Sequence, residues 1–313
     1  MKYYVFLFAA IAGAQSVTTN YATDLNGNRV ADGSVISTDG TQTRTTRSIN
    51  GSQVPMEQTE VHVLSKTPDS TVTETIIHKY DQDGHVTGTE RILAEQHKQA
   101  SGETVHVTTF RSDINGSMQQ AERRTTESTT QGNVTKTQTS VEESTPNGFE
   151  TVEKRTAVSE TKDGSTHSEQ TVYRRTENGT FDPAFQTVTD TTRTQGKTVE
   201  KTAQYQPIGD VNRMQLTKQT VNTTTERPDG SSVSQLDYYG AAVPGNVREP
   251  GAAQQLYERD TIERKPGAGG SVVETLTAQR ASMSNPSQLG PPIPISQTVC
   301  TGDCKNPPAP GNQ

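Results

Sequence analysis

The sequence has little of what builds an ordinary globular core. It contains no Trp, and aromatic residues make up 5% of its 313 residues. Hydrophobic residues, with Tyr counted and Gly left out, make up 28%. Soluble globular chains hold about 45–50% on a count that includes Gly, and this chain reaches roughly a third on that count. A deep two-layer core is hard to build from such a composition.

The chain also lacks a strong excess of either charge. Its net charge of −7 is small for its length, and no basic stripe with interleaved aromatic residues indicates a nucleic-acid binder. Low hydrophobicity is typical of disorder. The dominant polar residue, however, is Thr, whose β-branched side chain favours strands. The composition therefore predicts an all-β protein and no nucleic-acid partner.

The only long apolar run lies at the N-terminus. Lys2 precedes a nine-residue apolar stretch at positions 3–11, and Ala12-Gly13-Ala14 supplies a small-x-small cleavage pattern. A run this short is typical of a signal peptide and does not span a bilayer as a helix; a buried N-terminal strand is the alternative. We expect cleavage between Ala14 and Gln15, export, and no transmembrane segment in the mature chain.

Glycine-containing turns punctuate the chain at a regular interval. A first series falls at Asp39-Gly40, Asp69-Ser70, Ser101-Gly102, Gln131-Gly132, Asp163-Gly164, Gln195-Gly196 and Asp229-Gly230. A second series falls between them at Asn50-Gly51, Asp83-Gly84, Asn115-Gly116, Asn147-Gly148 and Asn178-Gly179. Asn-Gly and Asp-Gly adopt the positive φ angles that tight hairpins need. A turn about every 16 residues predicts a repeating two-strand unit of about 32 residues.

Threonine alternates along the segments between the turns, as at Thr135, Thr137 and Thr139. Successive side chains of a strand point to opposite faces, so this spacing predicts threonine rows on strands of about 12 residues. Other residues recur near the second series. Arg91, Arg123 and Arg155 lie 32 apart, as do Glu90 and Glu122, and Tyr80, Phe110, Tyr173 and Tyr205 come just before these turns.

These patterns predict a repetitive antiparallel meander of long, Thr-rich strands. Val134 shares its face with Lys136 and Gln138, which indicates that both faces are polar. We therefore expect a single-layer or weakly curled sheet, solvated on both faces and stabilised by cross-strand pairs. A closed barrel or propeller-like shell is the alternative, because closure removes sheet edges, although it would need inward apolar rows.

The chain divides by composition and turn spacing. After the signal peptide at 1–14 come an N-terminal segment at 15–38, regular hairpin repeats at 39–228 and degenerate repeats at 229–284. Residues 285–313 hold seven prolines and are expected to form a disordered tail. Cys300 and Cys304 lie in this tail, and outside the cytosol such a pair predicts a disulfide, within the chain or to another chain.

Two groups of residues are candidates for metal binding. Five histidines lie close together in the sequence: His62, His78, His85, His97 and His106. Asp81, Asp83, Gly84 and Glu90 match positions of an EF-hand loop, but Lys79 stands at its first position and would repel Ca²⁺. We therefore expect solvent-facing histidines, an ordinary hairpin turn and no metal.

The segment Tyr80-Asp81-Gln82-Asp83-Gly84-His85-Val86 resembles the core of the YD-type (RHS) repeats, and residues 24–30 resemble it less well. Those repeats build β-rich extracellular shells. The resemblance covers two turns and implies a secreted β-repeat protein without assigning a family.

No nucleophile elbow, phosphate-binding loop or zinc-protease motif occurs, so we expect neither an enzyme nor a cofactor. The sequence favours a secreted structural or interaction protein: an extended spacer, matrix component or adhesive surface, extracellular or periplasmic and able to associate with the cell surface. Its partner would be an extracellular or envelope component, with self-association through sheet edges. A carbohydrate- or envelope-binding module is the alternative, with Tyr173, Tyr238 and Tyr239 as its aromatic platform.

Overall fold

The computed structural model describes residues 15–23, 29–38, 41–49, 52–208, 211–240, 254–282 and 288–301. These ranges fold into an antiparallel sheet of 18 strands in which each strand pairs with the next one along the chain. The strands are β1 Gln15–Thr23, β2 Arg29–Thr38, β3 Gln42–Ile49, β4 Ser52–Lys66, β5 Ser70–Tyr80, β6 Val86–Gln99, β7 Gly102–Ser112, β8 Met118–Gln131, β9 Val134–Thr145, β10 Gly148–Lys162, β11 Ser165–Arg175, β12 Phe181–Thr194, β13 Lys197–Ile208, β14 Val211–Glu226, β15 Ser232–Gly240, β16 Gln255–Pro266, β17 Val272–Arg280 and β18 Ile293–Thr301.

The first and last strands join, which turns the meander into a closed barrel. β1 pairs antiparallel with β18 in the register Gln15 opposite Thr301 to Asn20 opposite Ser296, and it pairs with β2 on its other side. The all-β antiparallel meander of long strands is confirmed, with described strands of up to 16 residues. The expected single-layer or weakly curled sheet is wrong, because pairing of β1 with β18 closes it.

Closure also corrects two further expectations. The described strands leave no unpaired edge, since both β1 and β18 have partners on each side, so self-association through sheet edges does not fit this fold. The disordered tail is wrong over Ile293–Thr301, where β18 pairs with β17 and β1. Of the seven prolines in the expected tail, only Pro294 lies within β18.

The turns lie at the two rims of the barrel, one series to each rim. The first series connects β2 to β3, β4 to β5 and so on, and the second connects the intervening pairs. Gly84, Gly116, Gly132 and Gly164 have φ angles between 62° and 82°, the left-handed region that glycine adopts without strain. We call the two ends the first-series rim and the second-series rim.

The closed sheet has one face more buried than the other. Ala94, Val107, Arg124 and Val141 form one row of register across β6 to β9, and Ala94, Val107 and Val141 are 8%, 5% and 6% exposed. The next row, Leu93, Thr108, Arg123 and Glu142, lies on the opposite face and is more exposed. Inward side chains converge in a closed barrel, so the more buried face is the lumen face.

The barrel is wide. With about 4.8 Å between strands and a tilt of about 40°, 18 strands close at a backbone diameter of about 36 Å. Contacts between described strands run mainly from each strand to its barrel neighbours. Barrels of 16–18 strands enclose an aqueous channel rather than a packed core, which explains how a chain so poor in apolar residues can form this fold.

Candidate functional site

Threonine and serine hydroxyls pair with one another across neighbouring strands on the lumen face. The Oγ1 atoms of Thr126 and Thr139 are 3.0 Å apart across β8 and β9, and the next inward pair, Ser128 and Thr137, is also 3.0 Å apart. The same pairing joins Thr18 to Thr298, Thr130 to Thr135, Thr161 to Thr166, Thr189 to Thr202 and Thr224 to Ser234. The predicted threonine rows are therefore hydrogen-bonded ladders, and each cross-strand pair contributes about 0.2–1 kcal/mol.

Charged side chains form a belt on the lumen face, closer to the second-series rim. Arg124 Nη2 lies 3.0 Å from Glu122 Oε1, and the two side chains are 13% and 15% exposed. Glu153 lies 2.6 Å from Arg155 Nε and 3.4 Å from Arg174 Nε. Glu90 and Arg111 add a pair at 3.9 Å. The belt thus pairs four arginines with three glutamates, and the lumen presents these paired charges and hydroxyl groups to water.

Arg123 and Arg155 lie 32 residues apart in the sequence but do not occupy equivalent positions in the barrel. At one first-series turn Gln131 pairs with Val134, and at the next Lys162 pairs with Ser165. Equivalent positions of the two hairpins are therefore 31 residues apart. Arg124 and Arg155 are therefore equivalent and face inward, whereas Arg123 and Lys154 are equivalent and face outward. The 32-residue spacing of Arg123 and Arg155 joins residues on opposite faces.

Aromatic residues concentrate at one rim. Every Tyr and Phe among the described residues lies in the half of the barrel next to the second-series turns. Most of them face outward and form what we call the outward aromatic collar: Tyr21, Tyr80, Phe110, Phe149, Tyr173, Phe181, Tyr205 and Tyr239. Their rings are half-buried. The collar is a band of exposed ring surface around much of one end of the barrel.

A β-bulge accompanies most collar residues. The register shifts at Tyr21, Tyr80, Phe110, Tyr173 and Tyr205, where the partner strand places two residues opposite one. A further shift occurs at Tyr239. Bulges increase local twist and bend a strand, so they provide curvature at this level of the wall. The sequence showed aromatic residues before the second-series turns but did not show which face they take.

Cations lie over several collar rings. The guanidinium of Arg123 is 4.0 Å from the Phe149 ring centre, and the ammonium of Lys154 is 4.4 Å from that of Phe181. Arg29 lies 3.4 Å from the ring centre of Tyr21. Such stacking is worth about 0.5–1 kcal/mol at exposed sites. The collar therefore combines apolar ring surface with positive charge.

The rest of the outward face is polar and partly ion-paired. Arg259 donates to both carboxylate oxygens of Asp237 at 2.6 and 2.9 Å. Arg91 lies 2.6 Å from Glu74, and Lys265 lies 2.8 Å from Glu263. Other outward charges, such as Lys136 and Glu160, are exposed. Between the aromatic collar and the first-series rim, the outward face is thus a surface of mixed charge.

The structure separates the histidines predicted from the sequence. His62, His78, His97 and His106 lie on four strands of the outward face, and His85 lies in a turn. His78 Nδ1 is 3.0 Å from Thr89 Oγ1, and His106 Nδ1 is 3.2 Å from Thr125 Oγ1. Within the described ranges no group of three His, Cys, Asp or Glu side chains could hold a metal ion.

The candidate calcium loop is a hydrogen-bonded turn. Asp81 Oδ1 accepts the backbone N–H of Asp83 at 2.9 Å and of His85 at 2.8 Å. The His85 amide is the largest influence on the Asp81 carboxyl, whose pKa it lowers below its usual value. Asp113 makes the same two bonds to Asn115 and Ser117 one unit later. The carboxylate stabilises the turn itself.

The remaining predicted sites lie apart or outside the described residues. Tyr173 and Tyr239 face outward and Tyr238 faces inward, so they form no common platform. Cys300 is buried on the lumen face at 2% exposure, and Cys304 lies outside the described residues, so their disulfide stays a prediction. Ala14 also lies outside, and Gln15 begins β1; cleavage between them stays a prediction, as does the domain division.

The predicted function is wrong. A spacer, matrix component or adhesive surface depended on an open, extended sheet. The alternative, a carbohydrate- or envelope-binding module, depended on a common platform of Tyr173, Tyr238 and Tyr239, which the barrel separates. The sheet instead closes on itself around a polar lumen. The expectation of a secreted structural protein, extracellular or periplasmic, is wrong for the same reason. Among the described residues no helix is long and apolar enough to cross a membrane.

No known protein family and no curated protein matches the sequence. Solved structures with a similar backbone include mutants of a bacterial porin. One mutant of the Rh. blastica porin has a TM-score of 0.49 at 7% sequence identity, with 92% of this chain and 96% of that chain covered. A triple mutant of the Rhodopseudomonas blastica porin gives the same values, and a further Rh. blastica porin mutant has a TM-score of 0.48 at 8% identity over the same shares of the two chains.

Proposed function

We propose that this protein is a channel-forming β-barrel of the outer membrane that passes small polar solutes. The observation that carries the proposal is closure of 18 antiparallel strands around a polar lumen. Barrels of this kind have an even strand number, alternate inward and outward side chains and, at this size, hold a water-filled channel. The leader expected at residues 1–14 would deliver the chain to the envelope.

The lumen chemistry suits uncharged polar solutes and water. The threonine and serine hydroxyls bond to one another across strands, and they can exchange those bonds with passing solutes. Each arginine of the charged belt is paired with a glutamate, as Arg124 is with Glu122. A solute therefore meets hydrogen-bonding groups without a strong field of one sign.

Charged side chains on the outward face carry the main free-energy cost of placing this barrel in a membrane. An exposed Lys or Arg at the bilayer midplane costs about 2–4 kcal/mol, and the cost falls toward the interfaces. Ion pairs such as Asp237 with Arg259 reduce the number of unpaired charges. Long side chains such as Lys162 can extend toward the headgroups. The aromatic collar supplies the ring surface that favours a membrane–water interface.

The test is conductance of the refolded full chain in planar lipid bilayers. Single cysteines at neighbouring positions of β9 provide a matched pair: Thr137→Cys places a thiol in the lumen and Gln138→Cys places one outside. A bulky water-soluble thiol reagent should lower the step conductance of the first variant and leave the second unchanged. Absence of conductance steps from folded barrels, or equal block of both variants, would contradict the proposal.

A further inference from the structure

The outward aromatic collar is one-sided. Its rings lie at the second-series rim, whereas the described outward positions near the first-series rim carry side chains such as Lys136, Lys162 and Lys197 without aromatic neighbours. A barrel immersed in water on all sides has no need to concentrate its aromatic residues at one level. This asymmetry indicates that the second-series rim meets a different environment from the first.

The densest part of the collar lies on β8 to β12. Arg123 stacks on Phe149 at 4.0 Å, and Lys154 stacks on Phe181 at 4.4 Å. Lys154 is also opposite Tyr173 in the register of β10 and β11. Both cations are exposed, and the three rings are half-buried. Two cations are therefore held at fixed positions over apolar rings on one patch of the wall.

The charges around this patch leave the cations accessible. Glu142 is opposite Arg123 in the register of β8 and β9, and Ser140 is opposite Lys154 in that of β9 and β10. The Arg123 guanidinium donates to Gln120 Oε1 at 2.9 Å. Each cation remains exposed on its solvent side, although the whole chain carries a net charge of −7. The patch is a local positive site with an apolar floor.

We propose that this patch, centred on Arg123, Phe149, Lys154 and Phe181, binds the phosphate of anionic lipid headgroups. The inference rests on the proposed membrane location. The rings lie at the level where acyl chains meet headgroups, and the two cations pair with the phosphates above them. Basic side chains near an anionic lipid surface contribute about 1 kcal/mol each. The second-series rim thereby faces the leaflet that presents anionic phosphate.

Vesicle flotation of the refolded full chain tests this assignment. Binding to phosphatidylcholine vesicles is compared with binding to vesicles that also contain phosphatidylglycerol. We expect the wild-type chain to prefer the anionic vesicles despite its net negative charge. The double variant Arg123→Gln, Lys154→Gln should lose about 30-fold in affinity for them, as two cations at about 1 kcal/mol each imply.

The matched control removes the same charge elsewhere. Lys136→Gln with Lys201→Gln changes two exposed outward lysines that no described ring accompanies, and this control should keep the preference for anionic vesicles. Equal losses in both double variants would show bulk electrostatics and overturn the assignment, as would a wild-type chain with no lipid preference. Conductance of the wild-type chain in neutral bilayers tests the channel separately, so either proposal can fail alone.

Discussion

Threonine contributes both strand preference and hydrogen bonding in this barrel, because its Cβ carries a methyl group and a hydroxyl group. The branched Cβ restricts χ1 and favours an extended backbone. The hydroxyl reaches the hydroxyl of the neighbouring strand, as between Thr189 and Thr202 at 3.1 Å. An apolar β-branched residue would supply the first property without the second. The lumen wall can therefore stay polar while each inward pair still adds cross-strand stabilisation.

The hydrogen bonds of Asp81 predict how the stability of its turn depends on pH. Its carboxylate accepts two backbone N–H groups in an exposed turn, and the bond from His85 lowers its pKa from the usual 3.8. A lowered folded-state pKa means that the stabilisation is fully present above the unfolded pKa and is lost as pH falls through the folded one. We expect the turn to loosen only below about pH 4, observed by NMR titration of the Gly84 and His85 amides.

Two substitutions in this turn distinguish the role of the Asp81 carboxylate from that of the backbone N–H of residue 83. Asp81→Asn should abolish the acid transition of the turn, because the amide does not titrate. Asp83→Asn should retain it, because residue 83 contributes its backbone N–H to the Asp81 carboxylate. A titration midpoint for Asp81 at or above its usual value would show that the hydrogen bonds do not favour the ionised form.

Hairpins are the unit of construction at the scale of elements. Each one adds a down-strand and an up-strand, so the number of strands stays even and the inward rows stay in register. The offset of 31 residues between Gln131 and Lys162 shows which positions are interchangeable. The bulges next to collar residues are part of the same unit, since they recur at equivalent levels of β6, β8 and β12.

Removing one hairpin should leave a smaller closed barrel. Deletion of residues 131–161 joins Thr130 to Lys162, so that β8 continues through the turn at Asp163-Gly164 into β11. Thr130 then takes the place of Thr161 opposite Thr166, and Arg124 takes that of Arg155 opposite Val172. We expect a cooperative 16-stranded fold with undiminished strand signal per residue in circular dichroism and a somewhat smaller urea m-value.

The matched control removes one strand. Deletion of residues 131–147 takes out β9 and its two turns, so that β8 would lead directly into β10 with the wrong polarity. An odd number of antiparallel strands does not close in a consistent register, and we expect aggregation or a large loss of stability. Equal urea transitions for the two deletions would show that the hairpin is not the cooperative unit.

The whole molecule depends on the contact between its first and last strands. β1 and β18 pair over residues about as far apart in sequence as the chain permits, with Thr18 Oγ1 only 2.8 Å from Thr298 Oγ1. Closure of such a long loop is entropically unfavourable, but it satisfies two strand edges at once. An open sheet of this length would present those edges to other chains.

Truncation tests closure at this scale. A chain that ends at residue 292 lacks β18, so β1 and β17 each lose a partner, and we expect oligomers or aggregates by light scattering. A chain that ends at Thr301 keeps β18 and its pairings, and it should remain monodisperse in the same detergent. Monodisperse behaviour of the shorter chain would mean that another element can complete the sheet.

The sequence by itself determined the local structure of this protein. Asn-Gly and Asp-Gly pairs have the φ preferences of tight turns, and alternating threonines favour strands, so strand type, direction and approximate length follow from local chemistry. The aromatic residues before the second-series turns were also visible, as at Tyr80 and Phe110. Tertiary structure alone decided closure, because it requires β1 and β18 to meet and because similar polar residues occupy both faces. Curvature then makes one polar face more buried than the other, which distinguishes the lumen from the outside, and it places Arg123 and Arg155 on opposite sides of the wall.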